Sequence, residues 1–301
     1  MSAGRVTNSM LHRSLLDQVN TSSRRLMDTR EQLASGKQVS KPSDDPLRVS
    51  RTLGMQTEQS SLDQYKSNLD HAKSWVQATD TAFSQVTELV ARSRNLALQG
   101  ANGTLNDGER SKIAEEVKGI IDSVKTQGNS KLGDDYIFAG SASLTRPYSL
   151  GATDTYVGNA GQIVREIAPG VQTPVNQLGA TVFGDGSSGL IGALRNIVAH
   201  LESGTPADLD ALRTTDLQAL DSAQSTLLTA RAQVGELEQR FDFNLDRLIE
   251  LQESTLELLT NTRDTDYAAA TIEFATRRAA FEAALKTGMD VVQPSLVDFL
   301  K

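Results

Sequence analysis

Two ladders of apolar residues, each stepping by seven, constrain this chain more than any other feature. Met55, Leu62, Leu69, Val76, Phe83 and Val90 form the first, and Leu220, Leu227, Val234, Phe241 and Leu248 the second. A seven-residue repeat keeps one seam of a helix facing a partner and imposes a left-handed supercoil. The first ladder occupies a segment of about 47–99, which as a helix would run roughly 75 Å. The second has a companion seam at Ala223, Ala230, Leu237, Leu251 and Leu258, broken by Asn244. Between the ladders, Ile113, Val117, Ile120, Ile121 and Val124 mark a further helix over about 107–126. An antiparallel bundle of the 47–99, 107–126 and 208–262 helices would bury both seams.

Local signals frame these helices. Asp45 is placed to cap and Pro46 to begin the first long helix, and Gly100 and Gly103 close it. Thr205-Pro206-Ala207-Asp208 reads as N-cap, first-turn proline and acidic first turn.

Both ends of the chain carry narrower stripes. Val6, Leu11, Leu15, Val19, Leu26 and Leu33 lie on a pattern over about 6–34 that stops at Ser35-Gly36. Tyr267, Phe274, Phe281, Leu285 and Val292 share one face over about 266–292. Pro294 is expected to stop that helix, leaving Leu296, Phe299 and Leu300 as apolar handles. A single helix of this kind is marginal in water. The two ends are therefore expected to be mobile in the monomer and to pair as a coiled coil on assembly. The alternative is that they pack on the bundle.

The middle differs in composition. Residues 133–192 hold 11 of the 22 glycines and three of the seven prolines, so turns must dominate there. DDYIFAG, DTYVG and QIVREIAP read as short strands, giving a β-rich insert in a mainly α chain.

Chemistry is sparse. His12, His71 and His200 form no metal or catalytic spacing, and GDGSSG at 184–189 lacks the Gly-Lys-Ser/Thr ending of a phosphate loop. Neither GxSxG nor SxxK occurs, and cysteine is absent. The acidic doublets Asp44-Asp45 and Asp134-Asp135 fall at helix or strand starts. A net charge of −8 argues against a nucleic-acid partner. No apolar run is long enough to span a bilayer. The sequons at Asn20 and Asn102 are weak signals. The expectation is no enzyme, no cofactor and no metal. An unrelated soluble coiled-coil scaffold is an alternative, and so is a cell-wall hydrolase. The latter needs a pair of carboxylates lining a cleft, and Asp154, Glu166 and Asp185, the acids well inside the insert, show no informative spacing.

RVTNSM, QLASGKQVSKPSDDP and RSRNLALQGANGTLN resemble the N-terminal region shared by bacterial flagellins and their relatives. RDTDYAAATIEFATRRAAFEAALKTGMDVVQPSLVDFL resembles the matching C-terminal region. Within NSKLGDDYIFAGSASLTRPY, the residues Tyr136, Phe138, Gly140, Pro147 and Tyr148 look like the hook-associated protein 3 branch, the hook–filament junction proteins. VNQLGATVFGDG, with Asn176, Gly179 and Phe183, is similar to the same branch.

The resemblance implies a flagellin-like structural subunit exported through the flagellar type III channel. It implies a ring of copies between hook-associated protein 1 and flagellin, and an export chaperone on the C-terminal apolar face. A flagellin proper is the nearest alternative. The implied division is 1–45 and 264–301 for an inner assembly domain, 46–135 and 205–263 for the helical bundle, and 136–204 for the outer insert.

Overall fold

The computed structural model describes residues 8–39, 41, 45–151 and 153–299, with side chains described except at 8, 9, 11, 12 and 290–299. Its helices are α1 (Asn8–Ser35), α2 (Pro46–Gly100), α3 (Asp107–Gly128), α4 (Gly179–Val182), α5 (Gly189–Ser203), α6 (Pro206–Ala211), α7 (Leu217–Arg263) and α8 (Tyr267–Phe299). Four short strands lie between α3 and α4: β1 (Lys131–Leu132), β2 (Asp135–Tyr136), β3 (Val164–Ala168) and β4 (Val171–Pro174). The chain divides into two compact units. One comprises the two ends, up to Ser61 and from Gln252; the other is Leu62–Leu251.

In the Leu62–Leu251 unit both ladders turn inward. Leu62, Leu69, Val76, Phe83 and Val90 of α2 are buried, as are Leu220, Leu227, Val234, Phe241 and Leu248 of α7. Cross-helix pairs fix the antiparallel register. Lys73 Nζ lies 2.6 Å from Asp242, Arg231 Nε 2.8 Å from Asp80 and Arg94 Nε 3.0 Å from Asp221. Helix α3 joins through Ile113, Val117, Ile121 and Val124. Asn106 caps it, accepting from Glu109 N–H while the Glu109 carboxylate accepts from Asn106 N–H.

The insert is held by two antiparallel hairpins. β1 pairs with β2 around Gly133, whose φ of 62° suits glycine. β3 pairs with β4, with Val164 opposite Pro174 and an irregularity between Glu166 and Ala168. Strand structure is shorter than the sequence suggests. DDYIFAG supplies only Asp135–Tyr136, and DTYVG only an isolated bridge from Tyr156 to Tyr148.

The segment expected to be a β-rich insert also contains α5. Its buried Leu190, Ile191, Leu194, Ile197, Val198 and Leu201 fall at helical spacing. That spacing is a helical signal, but the glycines and prolines around it make the whole segment read as part of the β-rich insert.

The helical return is not uniform either. A π-helical turn, Leu212–Asp216, separates α6 from α7. Each π turn adds one residue per turn and rotates the face that follows.

Within the unit of the two ends, α1 packs antiparallel on α8. The pairing expected on assembly is thus already present in one chain. Pro294 does not stop α8, which continues to Phe299. Proline's fixed φ is helical; it removes one hydrogen bond and crowds the preceding turn, and the helix absorbs both. Among the described residues, no helix is long and apolar enough to cross a membrane.

Candidate assembly site

Helix α8 starts on Asp266, whose carboxylate accepts from Ala268 N–H at 2.9 Å and Ala269 N–H at 3.1 Å. The segments entering the α1–α8 pair are themselves joined. Gln38 N–H donates to the Arg263 carbonyl at 2.8 Å, and Thr265 N–H to the Gly36 carbonyl at 2.9 Å. Gly36 has φ 67°, and a Cβ there would sit 2.6 Å from the Tyr267 hydroxyl. Only glycine meets both demands. Deeper along the pair, Arg277 Nη1 donates to the Arg25 carbonyl and to Thr29 Oγ1, both at 2.8 Å. Thr29 is fully buried.

The apolar stripes are only partly covered by this pairing. Leu15, Val19, Leu26, Leu33, Phe274 and Phe281 are half-buried, while Tyr267 and Leu285 are exposed. Leu11, Val292, Leu296 and Phe299 lie on described helix backbone, but their side chains fall outside the description; Val6 and Leu300 lie outside the described residues. Leu26, Met27, Phe274 and Phe281 line a groove of about 480 Å³, rimmed by Arg30, Arg278 and Glu282. Met10, Leu16, Met27, Ile272 and Met289 are each at least 60% exposed. Two helices alone cannot enclose such a surface. Met55, the first rung of the α2 ladder, is half-exposed.

The motif residues of the insert meet at a second centre. Phe138 stacks on Phe83 of α2 at 5.4 Å between centroids and meets Phe183 edge-on at 4.9 Å. Tyr148 packs edge-on to Phe183 at 6.1 Å, and its hydroxyl donates to the Gly184 carbonyl at 2.7 Å. Burial pushes the Tyr148 phenol far above its ordinary range. Gly128 is required beneath it, since a Cβ would lie 2.8 Å from the ring. Gly140 has φ 69°, and a Cβ there would strike the Asn159 carbonyl at 2.1 Å. Tyr136 lies under the Lys131 ammonium at 4.4 Å and takes a bond from Arg146, which lowers its phenol. Pro147 is buried beside Tyr148.

Three groups that fasten the insert escaped sequence reading. Asn129 donates to the Tyr148 carbonyl at 2.8 Å and accepts from its N–H at 2.9 Å. Lys125, fully buried, places Nζ 2.5 Å from Asp154 and donates to the carbonyls of Gly151 and Thr153. Arg195 of α5 closes on the same carboxylate at 2.6 and 3.0 Å. Burial pushes Asp154 up, yet the bonds from Arg195 and Lys125 outweigh it and hold the carboxyl below its usual range. Lys125 gives no signal in sequence, because its partners are distant in the chain.

Histidine spacing also hid a contact. His200 Nδ1 lies 2.6 Å from Asp216, which sits in the π turn, and Nε2 is 4.0 Å from Asp208. Both ring nitrogens face carboxylates, an arrangement that fastens the end of α5. The 184–189 segment is a turn, with Gly184, Gly186 and Gly189 at positive φ. Among the described residues, no group of three or more His, Asp or Glu could hold a metal ion. Asp154 is committed to its ion pairs, and Asp185 accepts from Tyr156 N–H at 2.8 Å.

The profile of the bacterial flagellin N-terminal helical region matches residues 6–143. Flagellar hook-associated protein 3 of Escherichia coli K12 is 26% identical, over 99% of this chain and 100% of its own. A structure titled as a hook-associated protein from Vibrio parahaemolyticus superposes with TM-score 0.64 at 24% identity, covering 73% of this chain and 100% of that one. The flagellar junction protein of Legionella pneumophila superposes with TM-score 0.56 at 14% identity, over 72% and 100%. These two likenesses show a shared fold. Flagellins and filament core proteins also match, over smaller shares of the chain. The chain is a homologue, over essentially its full length, of flagellar hook-associated protein 3, and it carries the bacterial flagellin N-terminal helical region.

Proposed function

We propose that this chain is a structural subunit of the bacterial flagellum that joins the hook-associated protein 1 ring to the flagellin filament. The observation that carries the reading is the α1–α8 pair, formed within one chain yet with its apolar stripe half open. Copies of the chain form a ring through Leu15, Val19, Leu26, Leu33, Tyr267, Phe274, Phe281 and Leu285, with Val6, Leu11, Val292, Leu296, Phe299 and Leu300 continuing the stripes. Residues 1–45 with 264–301 form the inner layer, 46–135 with 205–263 the bundle layer and 136–204 the outer surface. The chain is exported and acts outside the cell. An export chaperone covers the C-terminal apolar face until release. Its action is mechanical coupling without turnover of a substrate.

Electron microscopy of cells lacking the gene, with flagellin assayed in the medium, tests the role. Finished hooks without filaments, and flagellin lost to the medium, are expected. Absent filaments with no flagellin in the medium would make the chain the filament subunit itself. Unchanged flagella would overturn both readings.

A further inference from the structure

The turn between α2 and α3 carries Asn102-Gly103-Thr104, which the assembly reading leaves unused. All three residues are exposed. The Asn102 side-chain carbonyl folds back along the turn, its Oδ1 accepting from Thr104 N–H at 3.2 Å and from Thr104 Oγ1 at 3.1 Å. This is an Asx-type turn, closed two residues on by the asparagine's own side chain. Gly103 N–H has no hydrogen-bond partner among the described residues. No side chain on Gly103 shields that nitrogen.

We propose that Asn102 is a site of spontaneous intramolecular modification in the folded protein, with Thr104 as its positioning residue. Gly103 nitrogen loses its proton to solvent base and attacks Asn102 Cγ. The oxygen that turns negative is the one already holding two Thr104 donors. The Cγ–Nδ2 bond then breaks, ammonia leaves with a proton from water, and a succinimide remains. Water adds to either ring carbonyl and yields aspartate or isoaspartate. The new carboxylate arises next in sequence to Ala101, whose carbonyl accepts from Arg213 Nε and Nη2 at 3.0 and 2.5 Å. The isoaspartate product also lengthens the main chain of the turn by one carbon. None of this depends on the flagellar reading.

The full-length protein is aged in mildly alkaline buffer at physiological temperature and followed by peptide mass spectrometry and isoaspartate methylation. Residue 102 is expected to gain one mass unit ahead of the other asparagines, with an acidic shift on ion exchange. Gly103→Ala, which has room for its Cβ, is expected to slow the reaction about tenfold. Thr104→Val is expected to slow it about three- to tenfold, with Thr104→Ser restoring the rate. Conversion of Asn102 only after denaturation, or an unchanged rate in Thr104→Val, would overturn the proposal.

Discussion

Helix α7 contributes to both units, and its seam has a different fate in each. In the Leu62–Leu251 unit, Leu227, Val234 and Phe241 are sealed in one core with residues of α2, α3, α5 and the insert. In the unit of the two ends, Thr255 and Leu259 are buried, but Leu256 and Leu258 are more than half exposed. The seven-residue rhythm is similar in both. What differs is how many layers surround it. Periodicity chooses which face of a helix is apolar; the number of neighbours decides whether that face is dry. One unit is complete as a single chain, and the other presents an unfinished surface.

The strongest break of this contrast compares two phenylalanines. Phe83→Ala, at a fully buried site, is expected to cost about 3–5 kcal/mol and to lower the Tm of the bundle. Phe274→Asp, at a half-buried site, is expected to leave that Tm nearly unchanged while abolishing filaments in complementation. A bundle destabilised equally by both would erase the distinction.

The ion pairs beneath the insert come next. Lys125→Met leaves Asp154 nine-tenths buried with Arg195 alone, and a loss of about 3 kcal/mol is expected in denaturant unfolding. The folded Asp154 carboxyl sits below its unfolded value of about 4. Its stabilisation is therefore present above that pH and lost as pH falls through the folded value. The stability gap between wild type and Asp154→Asn is expected to be constant near neutrality and to close in acid. A gap independent of acid would contradict the assignment.

Gly36→Ala is the smaller, local counterpart in the other unit. A left-handed φ and the Tyr267 hydroxyl both oppose a methyl group there, so about 1–2 kcal/mol is expected. Faster amide exchange should be confined to α1 and α8. Lys73→Ala removes a surface pair to Asp242, and a change of less than about 1 kcal/mol is expected by urea titration.

The long helices were legible because a strict repeat over many turns has few structural solutions. The caps at Asp45 and Thr205 were legible as local chemistry, and Arg48 N–H does donate to Asp45 at 2.9 Å. Three features were not. Helix α5 shows its period in Leu190, Ile191, Leu194, Ile197, Val198 and Leu201, but it escapes notice because it follows directly on a glycine-rich turn in the insert. The π turn at Leu212–Asp216 leaves no mark in hydropathy. Lys125, Asp154 and Arg195 converge from three separate elements, and a buried lysine looks like any surface lysine until its neighbours are known.

The bonds from Arg277 to Thr29 and Arg25 span 248 and 252 residues of sequence. Contacts of such high order close late, because a long loop must be gathered before any reward arrives. The Leu62–Leu251 unit is complete in the chain before α8 begins, so it can form without that helix. The α1–α8 clasp then serves as a receipt for the whole polypeptide: a chain lacking its last helix never acquires the paired face that α1 and α8 present together.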